Sequence, residues 1–352
     1  MVRLKDLAAE AHVSIRTVSR VINGAPHIST EKAARVNDAI RRLGYSPNLI
    51  ARGLRTKRTH LLGLIGWDLI PQVNSKKLSS LQMEAANAGY QTVFGLTFHE
   101  SGRERTLLQL YQRICDGIML LNPPSPDNLE LMRGLSVPLV LIGYTSATVP
   151  CINIDRKQGI LEALSLVAPS YSHLVFLTAS DDPGEERLVA FNQAVARTPH
   201  AGRTTVVHIQ SNQYDGGYNS GDPISHLKPA LVVCYNDQLA LGLMKRLYEL
   251  SVRIPEDIGV IGFDNDDATQ YSYKALSSVH QSLGDLAQSA IRHMDRLIEE
   301  GIGATGREPN RGQPAPRGRK AGGKTYVLDT IRTHFIARQT AFLAPQKPAE
   351  RS

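Results

Sequence analysis

The sequence predicts an all-α head followed by an α/β body of two doubly wound lobes, and three observations carry that prediction. Residues 1–45 hold apolar positions at helical spacing, the chain from residue 61 alternates short apolar runs with helix-length segments, and the charge changes sign between the two. Residues 1–60 contain 12 Lys/Arg against 4 Asp/Glu, a balance of +8, whereas residues 61–301 contain 18 against 26, a balance of −8. A basic head on an acidic body attracts a polyanion at one end and holds it off the other. Nucleic acid suits that arrangement, and on charge alone an anionic membrane surface would too. The 352 residues are 42% hydrophobic and 21% charged, which excludes wholesale disorder and gives length for two or three domains.

Leu4, Leu7, Ala8 and Ala11 lie at i, i+3, i+4, i+7 and predict a short first helix. Val18, Val21 and Ile22 repeat the stripe in a second helix that Ser14 is placed to cap. His12-Val13 leaves only a tight turn between them, and histidine tolerates left-handed backbone better than most side chains. Ala33, Val36, Ile40 and Leu43 mark a third helix, entered through Ser29-Thr30 and closed by Gly44. Two short helices about a tight turn, backed by a third, form a helix-turn-helix over residues 1–45. The second helix of that motif enters the DNA major groove and turns its N-terminal residues to base edges. Here those are Ile15 and Arg16, with Arg20 one turn later. Arginine can donate two hydrogen bonds to guanine, and isoleucine can meet a thymine methyl. Ser14, Thr17, Ser19, Asn23 and His27 suit phosphate contacts, which set register without reading sequence. The plain alternative is a small three-helix bundle with a solvated basic face.

Residues 46–60 read as a linker. Ser46-Pro47 is an N-cap followed by proline at the first helical position. Gly53 then costs ~1 kcal/mol of helix propensity, so a helix this short needs a partner to persist. A flexible interdomain linker would fit the same composition.

The run Leu4-Lys5-Asp6-Leu7-Ala8, Val13 through Asn23, Leu43-Gly44-Tyr45-Ser46-Pro47-Asn48 and Ala51 through Thr56 resembles the signature of the LacI (lactose-repressor) family of bacterial transcription regulators. The likeness extends to about residue 300 and resumes over 325–342. It implies a hinge helix that pairs with its dimer mate in the minor groove, with Leu54 as the wedge and Asn48 and Ala51 on neighbouring contacts. It also implies a periplasmic-binding-protein-like body whose chain crosses between lobes near residues 157, 280 and 325. One lobe would comprise 61–156 with 280–301, and the other 157–279 with 325–342.

The body's predicted strands are the apolar runs Leu61–Ile65, Thr92–Leu96, Gly117–Leu121, Pro138–Tyr144, His173–Ala179, Thr204–Ile209, Ala230–Tyr235 and Ile258–Phe263. Ligands of open α/β sheets sit beyond the carboxyl ends of the strands. The polar residues there are Trp67, Asp68, Asp155, Asn236, Asp237 and Asp264, with Arg187 early in the helix after 173–179. Carboxylates accept pairs of hydroxyls, while Arg187 and Asn236 can donate, which suits a polyhydroxy ligand. Trp67 could stack on a sugar face, although packing in the core or hinge is the commoner use of such a residue. Likeness of Glu186 through Phe191, Tyr235 through Gly242 and Ile254 through Asp264 to the family places Arg187, Asn236 and Asp264 in an effector pocket. Gln281 follows on the later crossover, and Asp237 is read as a helix cap. Two departures leave the effector's identity open: Gly66 through Asn74 lacks the usual Asn-Pro-Phe-Phe, and Asp155-Arg156-Lys157-Gln158 replaces the more common Asp-Asn. The stretch 211–223, rich in Gly and Asn, reads as a loop.

Gly318 through Thr325 matches the spacing of a phosphate-binding Walker loop. Such a loop must follow a buried strand and open a helix; this one follows Pro314-Ala315-Pro316 and precedes the strand-like Tyr326-Val327-Leu328. Residues 302–324, with six Lys/Arg and one Asp/Glu, read instead as a basic flexible insertion, and 343–352 as a tail. Three scattered cysteines argue against a disulfide framework, and no metal, cofactor or catalytic constellation stands out. No signal-peptide region opens the chain and no run is long enough to span a membrane, so a cytoplasmic location is expected. The expected function is a sequence-specific transcriptional regulator, a repressor by preference. It would bind double-stranded operator DNA as a homodimer under control of a small, sugar-like effector. The alternatives are a nonspecific architectural DNA-binding protein, a nucleotide hydrolase built on the Walker match, and a solute-binding protein with a vestigial head.

Overall fold

The computed structural model describes residues 2–22, 28–45, 58–69, 72–180, 185–196, 203–301 and 326–342. The chain divides into two compact units, Met1–His60 and Leu61–Ser352.

The head contains helices α1 (Leu4–Glu10), α2 (Ile15–Ile22) and α3 (Thr30–Leu43). Arg3 N donates to the Asp6 carboxylate at 2.8 Å as α1 begins. His12, at φ 51°, takes the left-handed turn that separates α1 from α2. The Ser14 hydroxyl accepts from Thr17 N at 3.1 Å and so satisfies a donor that the first turn of α2 would leave open. Gly44, at φ 60°, closes α3 where a side chain would be strained. Leu7, Val18 and Val36 are fully buried and bring the three helices together, with Ala8, Ala11 and Ala39 beside them.

In the body, eleven strands among the described residues form one sheet. The first lobe supplies β1 (Leu61–Gly66), β2 (Gln91–Leu96), β3 (Gly117–Leu120), β4 (Leu139–Ile142) and β5 (Cys151–Asp155), with helices α4 (Gln72–Asn87), α5 (Ser101–Ile114) and α6 (Leu129–Arg133). The second contains α7 (Arg156–Val167), β6 (His173–Thr178), α8 (Glu186–Val195), β7 (Thr204–His208), α9 (Tyr214–Asn219), α10 (Gly221–Ser225) and β8 (Ala230–Cys234). It continues through α11 (Asp237–Glu249), β9 (Ile258–Asp264), α12 (Ala268–Tyr271) and β10 (Ser277–Gln281). The chain then returns to the first lobe as α13 (Leu283–Glu299) and ends in β11 (Val327–Ile336). Strand order is β2-β1-β3-β4-β5-β11-β10-β9-β8-β6-β7, parallel throughout except β10 against β11.

Parallel strands covered on both faces need apolar side chains on both, which is why these strands read as unbroken hydrophobic runs. In the first lobe Leu62, Leu64, Val140 and Ile152 pack under Leu81, Leu286 and Met294, while Ile65, Ile118 and Leu141 pack with Leu108 on the opposite face. In the second, Phe176 meets Phe191 and Phe263 on one side, and Val175, Val232 and Val260 meet Leu243 on the other. Cys115, Cys151 and Cys234 are buried in these cores as free thiols. No helix among the described residues is long and apolar enough to cross a membrane.

The structure corrects three expectations. Residues 325–342 do not all belong to the second lobe. The first half of β11 pairs in parallel with β5, from Val327↔Cys151 to Arg332↔Asp155, and its second half pairs antiparallel with β10 from Thr333↔Gln281. The third crossing therefore falls near 332–333 rather than 325, within a strand about 33 Å long at ~3.3 Å per residue. Strands β5 and β10 are also absent from the sequence reading, and the polar Ser-Ser-Val-His-Gln of β10 explains its concealment. Its Ser278 and Gln281 are nonetheless buried, their hydroxyl and amide tied to Asp237 and Asp264.

The third correction concerns 211–223, which holds α9 and α10 rather than a loop. The glycines there serve close packing, Gly216 against the chain that enters α9 and Gly217, with Gly242 of α11, where α9 meets α11. A Cβ on Gly216 would stand 1.8 Å from Ser211 O, on Gly217 1.9 Å from Leu239 O, and on Gly242 1.9 Å from Tyr214 O. Gly217→Ala is therefore expected to destabilise the body by about 1–3 kcal/mol through overpacking. Gly102→Ala, in the first turn of α5 with open space around it, should be neutral or stabilising by up to ~1 kcal/mol. Urea denaturation of both variants checks this, and equal effects would remove the packing argument.

Candidate functional sites

Two places combine exposed or buried polar groups with a shape that fits a ligand: the first turn of α2 and the cleft at the carboxyl ends of the body's strands.

On α2, Val18 is fully buried and fixes which way the helix faces. That leaves Ile15 52% exposed, with Arg16 and Arg20 exposed beside it. An isoleucine in water at the start of a capped helix does nothing for the core, and its side chain is available to an apolar group on a partner. Thr17 and Ser19 are half-buried. The Ser14 and Thr17 hydroxyls lie 2.9 Å apart, so both take part in the helix cap. Asn23 and His27, and the hinge residues Asn48, Ala51 and Leu54, lie outside the described residues.

The cleft is held by the lobe crossings. The Thr333 hydroxyl donates to Asp155 O at 2.7 Å and accepts from Gly159 N at 2.9 Å, which binds the first crossing to the third. Gly159 is required there, since a Cβ would stand 2.3 Å from Val279 of β10. Asp155 caps α7 by accepting from Lys157 N and Gln158 N, so its carboxylate is engaged in the fold.

Arg187, in the first turn of α8, is 7% exposed. It donates to Tyr235 O at 2.8 Å, lies 3.9 Å from the Asp264 carboxylate, and sits 4.1 Å and 4.2 Å from the ring centres of Tyr235 and Phe263. Its buried Nε has no partner among the described residues. Asp264 ends β9 with φ 106°, a strained value for a residue with a side chain. The strain is held from behind: Asp237 accepts from Asp266 N at 2.7 Å and from the Ser278 hydroxyl at 2.6 Å, and Arg338 donates to Asn265 at 2.6 Å. Burial, against the field of Arg187, pushes the Asp264 carboxyl up to about 6. Gln281 Nε2 donates to Asp264, while its buried Oε1 has no donor among the described residues. Arg187, Asp264 and Gln281 are thus adjacent at the ends of their elements.

Four other expected residues are placed differently. Asn236 caps α11 by accepting from Leu239 N at 2.9 Å and donates to Asn212 O at 2.9 Å, which occupies both ends of its amide. Asp237 is the brace just described rather than the cap. Trp67 lies against His99 with ring centres 4.4 Å apart and planes tilted by 35°, so the imidazole crowds its ring. Asp68 in turn is held by His99 at 3.3 Å and Asn74 at 3.4 Å.

Sequence reasoning missed Lys77, Tyr144 and Arg156. Arg156 pairs with Glu186 at 3.3 Å and stands 5.1 Å over the Tyr144 ring. Lys77 on α4 is 4% exposed, and its ammonium lies 5.5 Å over the same ring. Its signal was legible: Lys77 is one helical turn before the buried Leu81 and two before Ala85, a charge written into an apolar stripe. Beside Lys77 and Tyr144 the described residues enclose about 20 Å³, room for one water. A wider space of about 530 Å³ opens beside Asp264, Gln281 and Lys76, where the lobes face each other across the crossings. Across them, Lys76 of α4 reaches Asp267 at 2.9 Å and Asp266 at 3.8 Å.

Residues 3–48 match the model for "Bacterial regulatory proteins, lacI family", and 165–318 match that for a "Periplasmic binding protein-like domain". Catabolite control protein A of Staphylococcus epidermidis is 29% identical over 315 residues, covering 85% of this chain and 93% of that protein. The transcriptional repressor PurR of Vibrio atlanticus is 28% identical over 311 residues, with 85% and 93% covered. Among solved structures, the lac repressor dimer bound to operator and the anti-inducer ONPF superposes with a TM-score of 0.77 at 20% identity, covering 96% of this chain and 98% of that one. The CelR–cellobiose complex gives 0.62 at 22%, with 97% and 100% covered.

Burial, reinforced by the positive fields of Arg156 and Arg187 and opposed by Asp264, lowers Lys77 from its ordinary 10.5 to about 7. The unfolded chain then binds the extra proton between pH ~7 and ~10.5, so the stability contributed by this site rises with pH across that window. Lys77→Met is expected to stabilise the body at pH 7, by an amount that shrinks toward pH 10. Denaturant titrations of both proteins at pH 7 and 9 in zwitterionic buffer check it; a pH-independent difference would refute it.

Proposed function

Given that the chain belongs to the lacI family of bacterial regulatory proteins, we infer that it is a sequence-specific transcriptional repressor whose grip on DNA is set by a small ligand in the body's cleft. The observation that carries the DNA half is the exposed pair Ile15 and Arg16 on the first turn of a helix whose opposite face is locked by Val18. A guanidinium and a branched apolar side chain, side by side at a helix N-terminus, match a guanine edge and a thymine methyl in the major groove. Arg20, one turn later, extends the same face.

A homodimer would present two such heads, and its two-fold symmetry calls for a near-palindromic operator. The ligand half rests on Arg187, Asp264 and Gln281, buried side chains of the second lobe beside the crossings, of which Arg187 Nε and Gln281 Oε1 have no partner among the described residues. Ligand can alter DNA affinity only by binding one arrangement of the lobes better than the other. Catalysis has no part in this reading. The Walker-like run Gly318 through Thr325 lies outside the described residues, and the chain beyond it enters strand β11, where a phosphate loop needs a helix.

Selection of bound duplexes from random DNA tests the proposal. Enrichment of a two-fold-related sequence is expected, and enrichment of none would favour a nonspecific architectural protein. On the selected duplex, Arg16→Ala is expected to relax preference at one position of each half-site by about 1–3 kcal/mol. Uniform weakening on all sequences would instead make Arg16 a phosphate contact.

A further inference from the structure

At the cleft Lys77, Arg156, Arg187 and Asp264 are each more than nine-tenths buried, three cations beside one carboxylate, with Asp237 and Asp266 buried behind Asp264. Arg187 has Asp264, the Tyr235 carbonyl and two ring faces. Arg156 has Glu186 at 3.3 Å. Lys77 has neither a hydrogen bond nor an ion pair among the described residues, only the Tyr144 ring at 5.5 Å. Of the other acids nearby, Asp155 at the start of α7, Glu185 at the start of α8 and Asp237 at Asp266 N are occupied by backbone donors, Asp68 is held by His99 and Asn74, and Asp266 faces Lys76. A buried ammonium without a hydrogen-bonding partner is costly, and proteins retain one where something else completes it.

The place it would be completed is specific. A Cβ added to Gly143 would stand 3.3 Å from Ile154 Cδ1, 3.5 Å from Lys77 Nζ and 3.7 Å from Arg156 Nη2. Two cations therefore flank one side-chain-free position, with the Tyr144 ring beneath both. Like charges this close in a dry setting repel, and an anion between them reverses the sign of the interaction. On the far side of the same cluster, Gln281 Oε1 and Arg187 Nε offer one acceptor and one donor, each buried and unpartnered. Those suit hydroxyls.

We propose that the ligand of this cleft is a small polyol carrying a phosphate or carboxylate, its anionic group seated by Lys77 and Arg156 and its hydroxyls turned toward Asp264, Gln281 and Arg187. This deepens the reading of the cleft as the regulatory site and rests on it. Arg156 stands in the segment where the sequence departs from its family, so the departure and the unpaired lysine are explained together.

The test uses the full chain in zwitterionic buffer, with paired probes: glucose against glucose 6-phosphate and gluconate, ribose against ribose 5-phosphate, and inorganic phosphate and sulfate alone. Thermal shift and calorimetry are run on wild type, Lys77→Met and Arg156→Gln, each against its own baseline, so anion binding at the basic head cancels. The anionic member of a pair is expected to bind at least about tenfold tighter than the neutral one, since a charged hydrogen bond contributes about 1.5–3 kcal/mol and 1.4 is tenfold. Both variants should lose that preference. A response to phosphates alone or to gluconate alone identifies which anionic group is read. If no anion in the set stabilises wild type more than the variants, the proposal is overturned. Operator affinity, measured on the selected duplex with the same probes, separates the two claims. A neutral sugar that shifts it through Arg187 would leave the regulatory reading standing and remove the anion. An anion that needs Lys77 but leaves DNA binding unchanged would do the reverse.

Discussion

One strand constrains the body. Val327–Arg332 of β11 completes the sheet of the first lobe, and Thr333–Ile336 completes that of the second. The two lobes are therefore halves of a single hydrogen-bonded sheet rather than domains on tethers. Thr333 stands where the strand changes partners, and its hydroxyl holds both Asp155 and Gly159. The crossings of β5, β10 and β11 lie side by side as a result. Relative motion of the lobes is then a twist spread over adjacent strands, with backbone hydrogen bonds resisting large excursions. That is the mechanical setting in which a ligand between the lobes would act.

The chemistry of the cleft depends on the same constraint. With the strand ends fixed, first-turn residues such as Arg187 and end-of-strand residues such as Asp264 and Gln281 are delivered to one dry spot. Dryness makes each charge expensive and each contact strong. The Asp264 backbone is held in a strained conformation by Asp237, Ser278 and Arg338, so its carboxylate does not retreat from Arg187. Strain supported by surrounding contacts is typical of sites whose geometry must be kept before the ligand arrives.

Much of this is readable in the residues. The buried parallel strands announce themselves as Val/Ile/Leu runs, and the head's helices as stripes with Ser14 and Gly44 at their ends. The hidden parts have physical reasons. Strand β10 is spelled Ser-Ser-Val-His-Gln because its neighbours are Asp237 and Asp264, so hydrogen bonds rather than methyl groups bury it. The glycines of 211–223 mimic a loop because close helix packing and backbone freedom call for the same residue. Asn236 takes the cap expected of Asp237, and Asp237 becomes a brace, because a helix cap and a brace both need a short polar side chain next to a strand end. Lys77 is visible as a charge in an apolar stripe, but its role is not, since the company it keeps comes from α7, α8 and β9, which only folding assembles.

The three thiols have a consequence of their own. Cys115, Cys151 and Cys234 are buried and unpaired; burial pushes Cys115 up to about 12 and raises Cys151 and Cys234 as well. Oxidants and alkylating reagents attack the thiolate, and they must reach it. Neither condition holds, so the folded body offers no redox handle and should tolerate air without cross-linking. A cysteine introduced on its surface would stand alone as the reactive sulfur of the whole chain, ready to carry a single dye or spin label.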